Sequence, residues 1–219
     1  MRDATYIAVL LDRSGSMESV KDETISGYNA FIKEQKEAGD NCSVSLVQFD
    51  SQSIDTLQEF TPVKSVPDLN GGTFQPRGMT PLLDALGKTI ESTGKSLEAI
   101  PEANRPDKIV FVVITDGQEN ASHQFDKSRI RQMIEHQSHT YNWQFVYLGA
   151  NQDAFAEAGK VGFKADNVAD YVGAATADAF RATSSNVASY RRTARASSLN
   201  YSSRQRASML KSDSRKSKA

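Results

Sequence analysis

Apolar positions along this chain fall into short continuous runs separated by stretches in which they recur every three or four residues. The run Tyr6–Leu11 reads as a buried strand over residues 5–12. The run Ile109–Ile114, rich in β-branched residues, reads as a strand over 107–115 buried on both faces. Leu82, Leu83, Leu86 and Ile90 recur at helical spacing and predict a helix over 81–99. Further helices are expected over 18–38 and 126–137, and further strands over 43–50, 53–61 and 143–149. Beyond Asn151 the pattern weakens. Asp153–Lys160 reads as helical, a last short strand is expected within Phe163–Val172, and a helix follows from about Ala174.

Strand and helix therefore alternate, as in a doubly wound, Rossmann-like α/β fold with a mostly parallel sheet and helices on both faces. One link breaks the alternation. Asp50-Ser51-Gln52 is too short to hold a crossover helix, so the second and third strands should form an antiparallel hairpin.

At 219 residues, 38% hydrophobic and 24% charged, the chain can bury one substantial core. The formal net charge of −1 hides an asymmetry: residues 1–180 carry a net −10 and residues 181–219 a net +9. The second segment has eleven serines, no proline and few large apolar residues. The expectation is one domain over 1–180, followed over 181–219 by a basic helix end and a tail disordered from about Thr193. Arg191, Arg192, Arg195, Arg204 and Arg206 are its candidate contacts to nucleic acid or an acidic protein, with Tyr190 and Tyr201 as the nearby stacking rings. The competing reading is a solubilising end, or one that folds back on the acidic body.

No run of about eighteen apolar residues suggests a membrane span, and the start does not resemble a signal peptide. Cys42 is the single cysteine, no Cys/His cluster has zinc spacing, and His123, His136 and His139 read as surface residues. These features lead to an expectation of a reducing cytoplasm.

The candidate chemistry sits where runs end. Asp12-Arg13-Ser14-Gly15-Ser16-Met17 follows the first strand, placing one carboxylate and two hydroxyls on a turn. Hard divalent cations prefer oxygen ligands; the same residues would also suit an ordinary turn capping the next helix. Thr80 stands where an N-cap belongs, with Pro81 suited to the first helical position. Asp116 closes the 107–115 strand. In open α/β sheets ligands gather outside the carboxyl ends of the strands, where the strand order reverses.

Together Asp12, Ser14, Ser16, Thr80 and Asp116 resemble the metal-ion-dependent adhesion site of the von Willebrand factor A family, written Asp-x-Ser-x-Ser, then Thr, then Asp. The resemblance spans residues 4 to about 175 and is to compact intracellular bacterial and phage members. It implies a Mg2+ ion, with Mn2+ or Ca2+ as substitutes. Ser14, Ser16 and either Thr80 or Asp116 would bind the ion directly, Asp12 and the remaining group through water. One position would stay open for an Asp or Glu carboxylate of a partner protein. Around the site, Met17, Phe74, Arg77, Glu119 and Asn120 are candidates for partner contact. The opposing view has Met17 and Phe74 packed under their loops, Arg77 solvated, and Gln118-Glu119-Asn120 starting the turn into the next helix.

Catalysis is not expected. The chain lacks a Gly-x-x-x-x-Gly-Lys-Ser/Thr loop, a Gly-x-Gly-x-x-Gly turn and a second aspartate two residues after Asp12. The alternatives to a binding module are an assembly protein, whose metal site and basic tail clamp a neighbouring subunit or nucleic acid, and, less favoured, a metal-dependent hydrolase. Self-association belongs to the first of these.

Overall fold

The computed structural model describes residues 3–150 and 154–211. The chain runs β1 (Thr5–Asp12), a 3-10 turn (Gly15–Val20), α1 (Lys21–Glu37), β2 (Cys42–Phe49), β3 (Ile54–Pro62), α2 (Leu82–Glu98), β4 (Lys108–Thr115), α3 (Lys127–Tyr141) and β5 (Gln144–Ala150). It continues through α4 (Ala154–Lys160), β6 (Val168–Tyr171), α5 (Thr176–Thr193) and α6 (Ser203–Met209). The sheet order is β3-β2-β1-β4-β5-β6. All neighbours are parallel except β2 and β3, the hairpin expected from the short link at 50–52.

Alternation along β1 divides the core. Ile7, Val9 and Leu11 face Tyr28 and Phe31 of α1 and Phe180 and Val187 of α5. Tyr6, Ala8 and Leu10 face Leu82, Leu86 and Ile90 of α2 and Ile130 and Met133 of α3. Covering both faces leaves no polar side to β1 or β4, which explains their unbroken apolar runs. Gly27 permits the close approach of α1 and α5: a Cβ there would lie 2.4 Å from the Phe180 ring.

The chain leaves β1 for β2 on one side and later returns to β4 on the other, so the order reverses between β1 and β4. Their registered ends bring Leu11 opposite Ile114, opening the crevice beside Asp12 and Asp116.

Two expectations need correction. Thr80 is not the N-cap of α2. Pro81 holds that position without a side-chain cap, and the exposed helical N–H groups are taken from across the site. Leu83 N–H donates to Glu119 (2.9 Å) and Asp84 N–H to Ser122 Oγ (3.0 Å).

The basic segment also departs from the expected disordered tail and follows instead the alternative in which it folds back on the body. Position 180 falls inside α5, and beyond 193 the chain turns at Ala194 in the left-handed region (φ 54°), then packs through α6. Leu199, Tyr201 and Met209 are buried. Arg206 donates to the carbonyls of Val168, Ala165 and Asp166, and Val172 N–H donates to Met209 O (3.0 Å). Composition undercounted this segment because three apolar anchors and the unpaired groups near the sheet edge suffice to hold it. The rest of the expected tail, 212–219, lies outside the described residues.

Candidate metal site

Asp12 ends β1 fully buried, and both its oxygens are engaged. Ser14 N–H donates to Oδ1 (2.7 Å) and Thr115 Oγ1 donates to Oδ2 (2.6 Å). Ser14 Oγ lies 3.0 Å from Ser16 Oγ, and Ser16 Oγ donates to Asp116 Oδ1 (2.5 Å). The two carboxylates are thus joined through the serines of one turn. Thr80 is buried, and its hydroxyl faces Gly117: a methyl there would meet Thr80 Oγ1 at 2.6 Å and Ser16 Oγ at 3.4 Å. Tertiary structure therefore gathers all five expected residues into one cluster.

The loops carrying them are tied together. Asn120 Oδ1 accepts from Thr80 N–H (2.9 Å), and Asn120 N–H donates to Thr80 O (3.2 Å). Gly15 N–H donates to Gly78 O (3.0 Å) and Arg77 N–H to Arg13 O (2.8 Å). The β2–β3 hairpin fixes both of those loops. Arg13, buried, donates through Nε to Asp50 Oδ2 (2.8 Å) and through Nη2 to Asp55 Oδ2 (2.8 Å). Arg77 Nε reaches the same Asp50 oxygen (3.0 Å), and Ser51 Oγ accepts from Met79 N–H (2.9 Å).

Electrostatics set the site apart from this scaffold. Burial pushes the Asp12 carboxyl up to about 6, against the bonds from Thr115 and Ser14, and the neighbouring Asp116 charge adds to the rise. Burial raises Asp116 as well, against its Ser16 bond. At Asp50 burial has the same sense, but the Gln52 N–H and the Arg77 and Arg13 guanidiniums outweigh it and hold the carboxyl below its ordinary value. One buried and one partly buried carboxylate, both with raised pKa, form an all-oxygen donor set with three hydroxyls, and a hard divalent cation would supply the missing positive charge. Among the described residues no three His, Cys, Asp or Glu side chains cluster as a metal site; the hydroxyls make up the set here. Asp12, Ser14, Ser16, Thr80 and Asp116 accordingly fit Mg2+.

The expected partner contacts fare differently. Met17 and Phe74 are fully buried under their loops. Arg77 is not simply solvated: it is exposed yet bound to Asp50. Glu119 accepts from the N–H groups of Leu83, Ala121 and Ser122 and from Ser122 Oγ, so it and Asn120 brace α2 against the Asp116 loop. Of the expected tail contacts, Arg191 is buried and donates to Gln35 O (2.6 Å) and Gly39 O (2.6 Å) at the end of α1. Arg206 is taken up near β6, whereas Arg192, Arg195 and Arg204 are exposed. Thr115, Arg13 and Asp50 escaped the sequence reading. Arg13 offered the available signal, a cation inside the Asp12–Ser16 turn that needs a carboxylate once buried.

Gly117→Ala should lower Mg2+ affinity about tenfold or more, because its methyl crowds Thr80 and Ser16. Calorimetric titration of wild type and variant checks this, and equal affinities would show that the Thr80 hydroxyl is not held at the site.

No protein-family model matches this chain, and no curated protein matches it. Among solved structures, the chain is similar to proximal thread matrix protein 1 from the mussel byssus, at 16% identity and a TM-score of 0.59, over 83% of this chain and 46% of that one. It is also similar to a von Willebrand factor type A protein from Catenulispora acidiphila, at 14% identity and a TM-score of 0.52, over 83% of this chain and 42% of that one. This chain therefore spans less than half the length of these structures. The likeness, with the six-stranded order and its one antiparallel strand, shows a von Willebrand factor A-type fold.

Proposed function

We propose that this chain, with its von Willebrand factor A-type fold, is a divalent-metal-dependent protein-binding module acting in the cytoplasm. Such folds commonly mediate protein–protein interaction. The observation that carries the proposal is the convergence of Asp12, Ser14, Ser16, Thr80 and Asp116 at the ends of β1 and β4, with both carboxyls raised by burial.

In this reading Ser14, Ser16 and one of Thr80 or Asp116 would hold Mg2+ directly, and Asp12 and the other would hold it through water. When bound, the cation would supply an electron-poor centre for a partner's Asp or Glu carboxylate in a partly desolvated crevice. Thr115 and the Ser14 N–H orient Asp12, and the Arg13–Asp50–Arg77 contacts hold the two flanking loops at a fixed separation. No residue is assigned to bond breaking.

A second reading draws on the exposed Arg192, Arg195 and Arg204, since residues 181–211 hold seven Lys or Arg and no Asp or Glu. In it the same module docks an acidic neighbour, or nucleic acid, along this side as well.

The expected result is metal-linked stability. At a hundredfold excess over Kd, Mg2+ should add about 2.7 kcal/mol, or roughly 5–10 °C in Tm, and Asp12→Ala and Asp116→Ala should each abolish the rise. Affinity capture on the full chain then tests partner binding: retention in Mg2+ should be lost in EDTA and lost with Asp12→Ala. A partner held equally under all three conditions overturns the metal-dependent reading, and its loss on replacing Arg192, Arg195 and Arg204 with Glu would favour the second.

A further inference from the structure

Tyr171 closes β6, opposite Ala150 of β5, one residue beyond the Asp170–Gly149 pair, while Gly149 is itself registered with Thr115 of β4. Asp116 follows Thr115, so Asp116 and Tyr171 stand at the same level of the sheet, two strands apart, or about 10 Å between backbones. Ala150, the β5 residue registered with Tyr171, carries only a methyl group. Ile114, Ala150 and Tyr171 share one core cluster and hence one face. The Tyr171 ring is therefore placed to extend across Ala150 toward the metal site.

Its hydroxyl is anomalous for a core residue. Tyr171 is 1% exposed, and its Oη has no hydrogen-bond partner among the described residues. A buried hydroxyl without a partner is destabilising, and phenylalanine would fill the same space without that cost. An orphan of this kind calls for a partner outside the protein atoms, such as a bound water or ion. Burial is the main cause of its raised pKa, and Asp116, Asp12 and Tyr147 add smaller contributions, which agrees with a position in electrostatic reach of the site. Tyr28 provides the contrast. It too is buried with an unpartnered hydroxyl, but it sits on α1 and burial alone accounts for its raised pKa.

Asp116 is the candidate ligand that stands level with Tyr171 in the sheet. It lies just past the end of β4, is only partly buried, and takes its side-chain bond from Ser16 at Oδ1, a serine that is itself a candidate ligand. We propose that Tyr171 is a positioning residue for the metal site, its hydroxyl donating through one bridging water to the Asp116 carboxylate and fixing the orientation in which that carboxylate receives the cation. This rests on the metal-binding reading above. Outer partners of metal ligands typically contribute ten- to hundredfold in affinity.

The experiment is calorimetric titration of the full chain with Mg2+ and with Mn2+, together with thermal unfolding of the metal-free protein, for wild type, Tyr171→Phe, Tyr28→Phe and Asp12→Ala. Tyr171→Phe keeps the ring and should leave the metal-free Tm unchanged or raised while weakening metal binding about tenfold or more. Tyr28→Phe should match it in Tm and leave metal affinity unchanged. A Tyr171→Phe protein that binds as tightly as wild type, or a Tyr28→Phe protein weakened to the same degree, overturns the positioning role and leaves the metal reading intact. Wild type that shows no Asp12-dependent binding overturns both.

Discussion

Replacing Asp50 with alanine is expected to lower stability by about 3–5 kcal/mol, the range seen when one partner of a buried ion pair is removed. Asp50 has no exposed side-chain surface, and the Arg13 guanidinium it holds at 2.7 Å is only 10% exposed. Alanine would leave that cation short of a buried partner. It would also strip the β2–β3 turn of the acceptor for Gln52 N–H (2.7 Å) and Ser53 N–H (3.1 Å) and cut Arg77 loose from the hairpin. The loss should be visible in urea unfolding at pH 7. Because the Asp50 carboxyl is held below its ordinary 3.8, its contribution is present above that value and lost as pH falls through the lowered one. The gap between wild type and variant should therefore narrow in strong acid. A full-sized gap at neutral pH with unchanged Mg2+ affinity would mean that the hairpin supports the fold without setting the spacing of the Asp12 and Thr80 loops.

Asp12→Asn is expected to act in the opposite direction. The Asp12 carboxyl is raised from 3.8 to about 6 by burial, opposed by Thr115 and Ser14, so the folded state holds its proton more tightly than the unfolded chain. The native protein then binds more protons between about pH 4 and 6, and this group's contribution falls as pH rises through that window. Two pKa units correspond to on the order of 3 kcal/mol. Above pH 6 the metal-free Asp12→Asn protein should exceed wild type in stability by up to about that amount. Asparagine can still accept from Ser14 N–H and can donate to Thr115 Oγ1, which has Gly117 O as its own acceptor at 3.1 Å. Saturating Mg2+ should reverse the ranking, since a cation stabilises the ionised carboxylate and Asn offers no charge. Thermal unfolding from pH 4 to 8, with and without Mg2+, measures both effects. Wild type and variant responding alike to Mg2+ would remove Asp12 from the metal site.

Much of this architecture is legible in the sequence. The apolar runs at Tyr6–Leu11 and Ile109–Ile114 became β1 and β4, and the three-residue link at 50–52 became the antiparallel hairpin, because strand period and loop length are local properties. Four of the five oxygen donors are likewise legible from a strand ending in Asp, a Ser-Gly-Ser turn and a strand-end Asp, and the fifth, Thr80, from a hydroxyl at a helix start. The capping role expected of Thr80 is the part that fails. A hydroxyl before Pro81 looks like a cap in one dimension, whereas the caps of α2 come from Glu119 and Ser122, about 40 residues downstream.

The same division accounts for Glu119, Asn120, Arg191 and Arg206, which as isolated charged or polar residues read as contacts for an external partner. Burial and the backbone groups they satisfy are set by segments distant in the chain, so no local pattern announces them. The sequence by itself determined the alternation of strands and helices, the apolar faces and the inventory of oxygen donors, since those follow from side-chain chemistry and short-range periodicity. Only the tertiary structure decided that Asp12 and Asp116 meet through Ser14 and Ser16, that Arg13 and Arg77 share Asp50, and that the basic segment packs against the body through Leu199, Tyr201 and Met209. Each of those outcomes depends on desolvation and on pairing between residues far apart in sequence, energies that exist only once the chain has closed on itself.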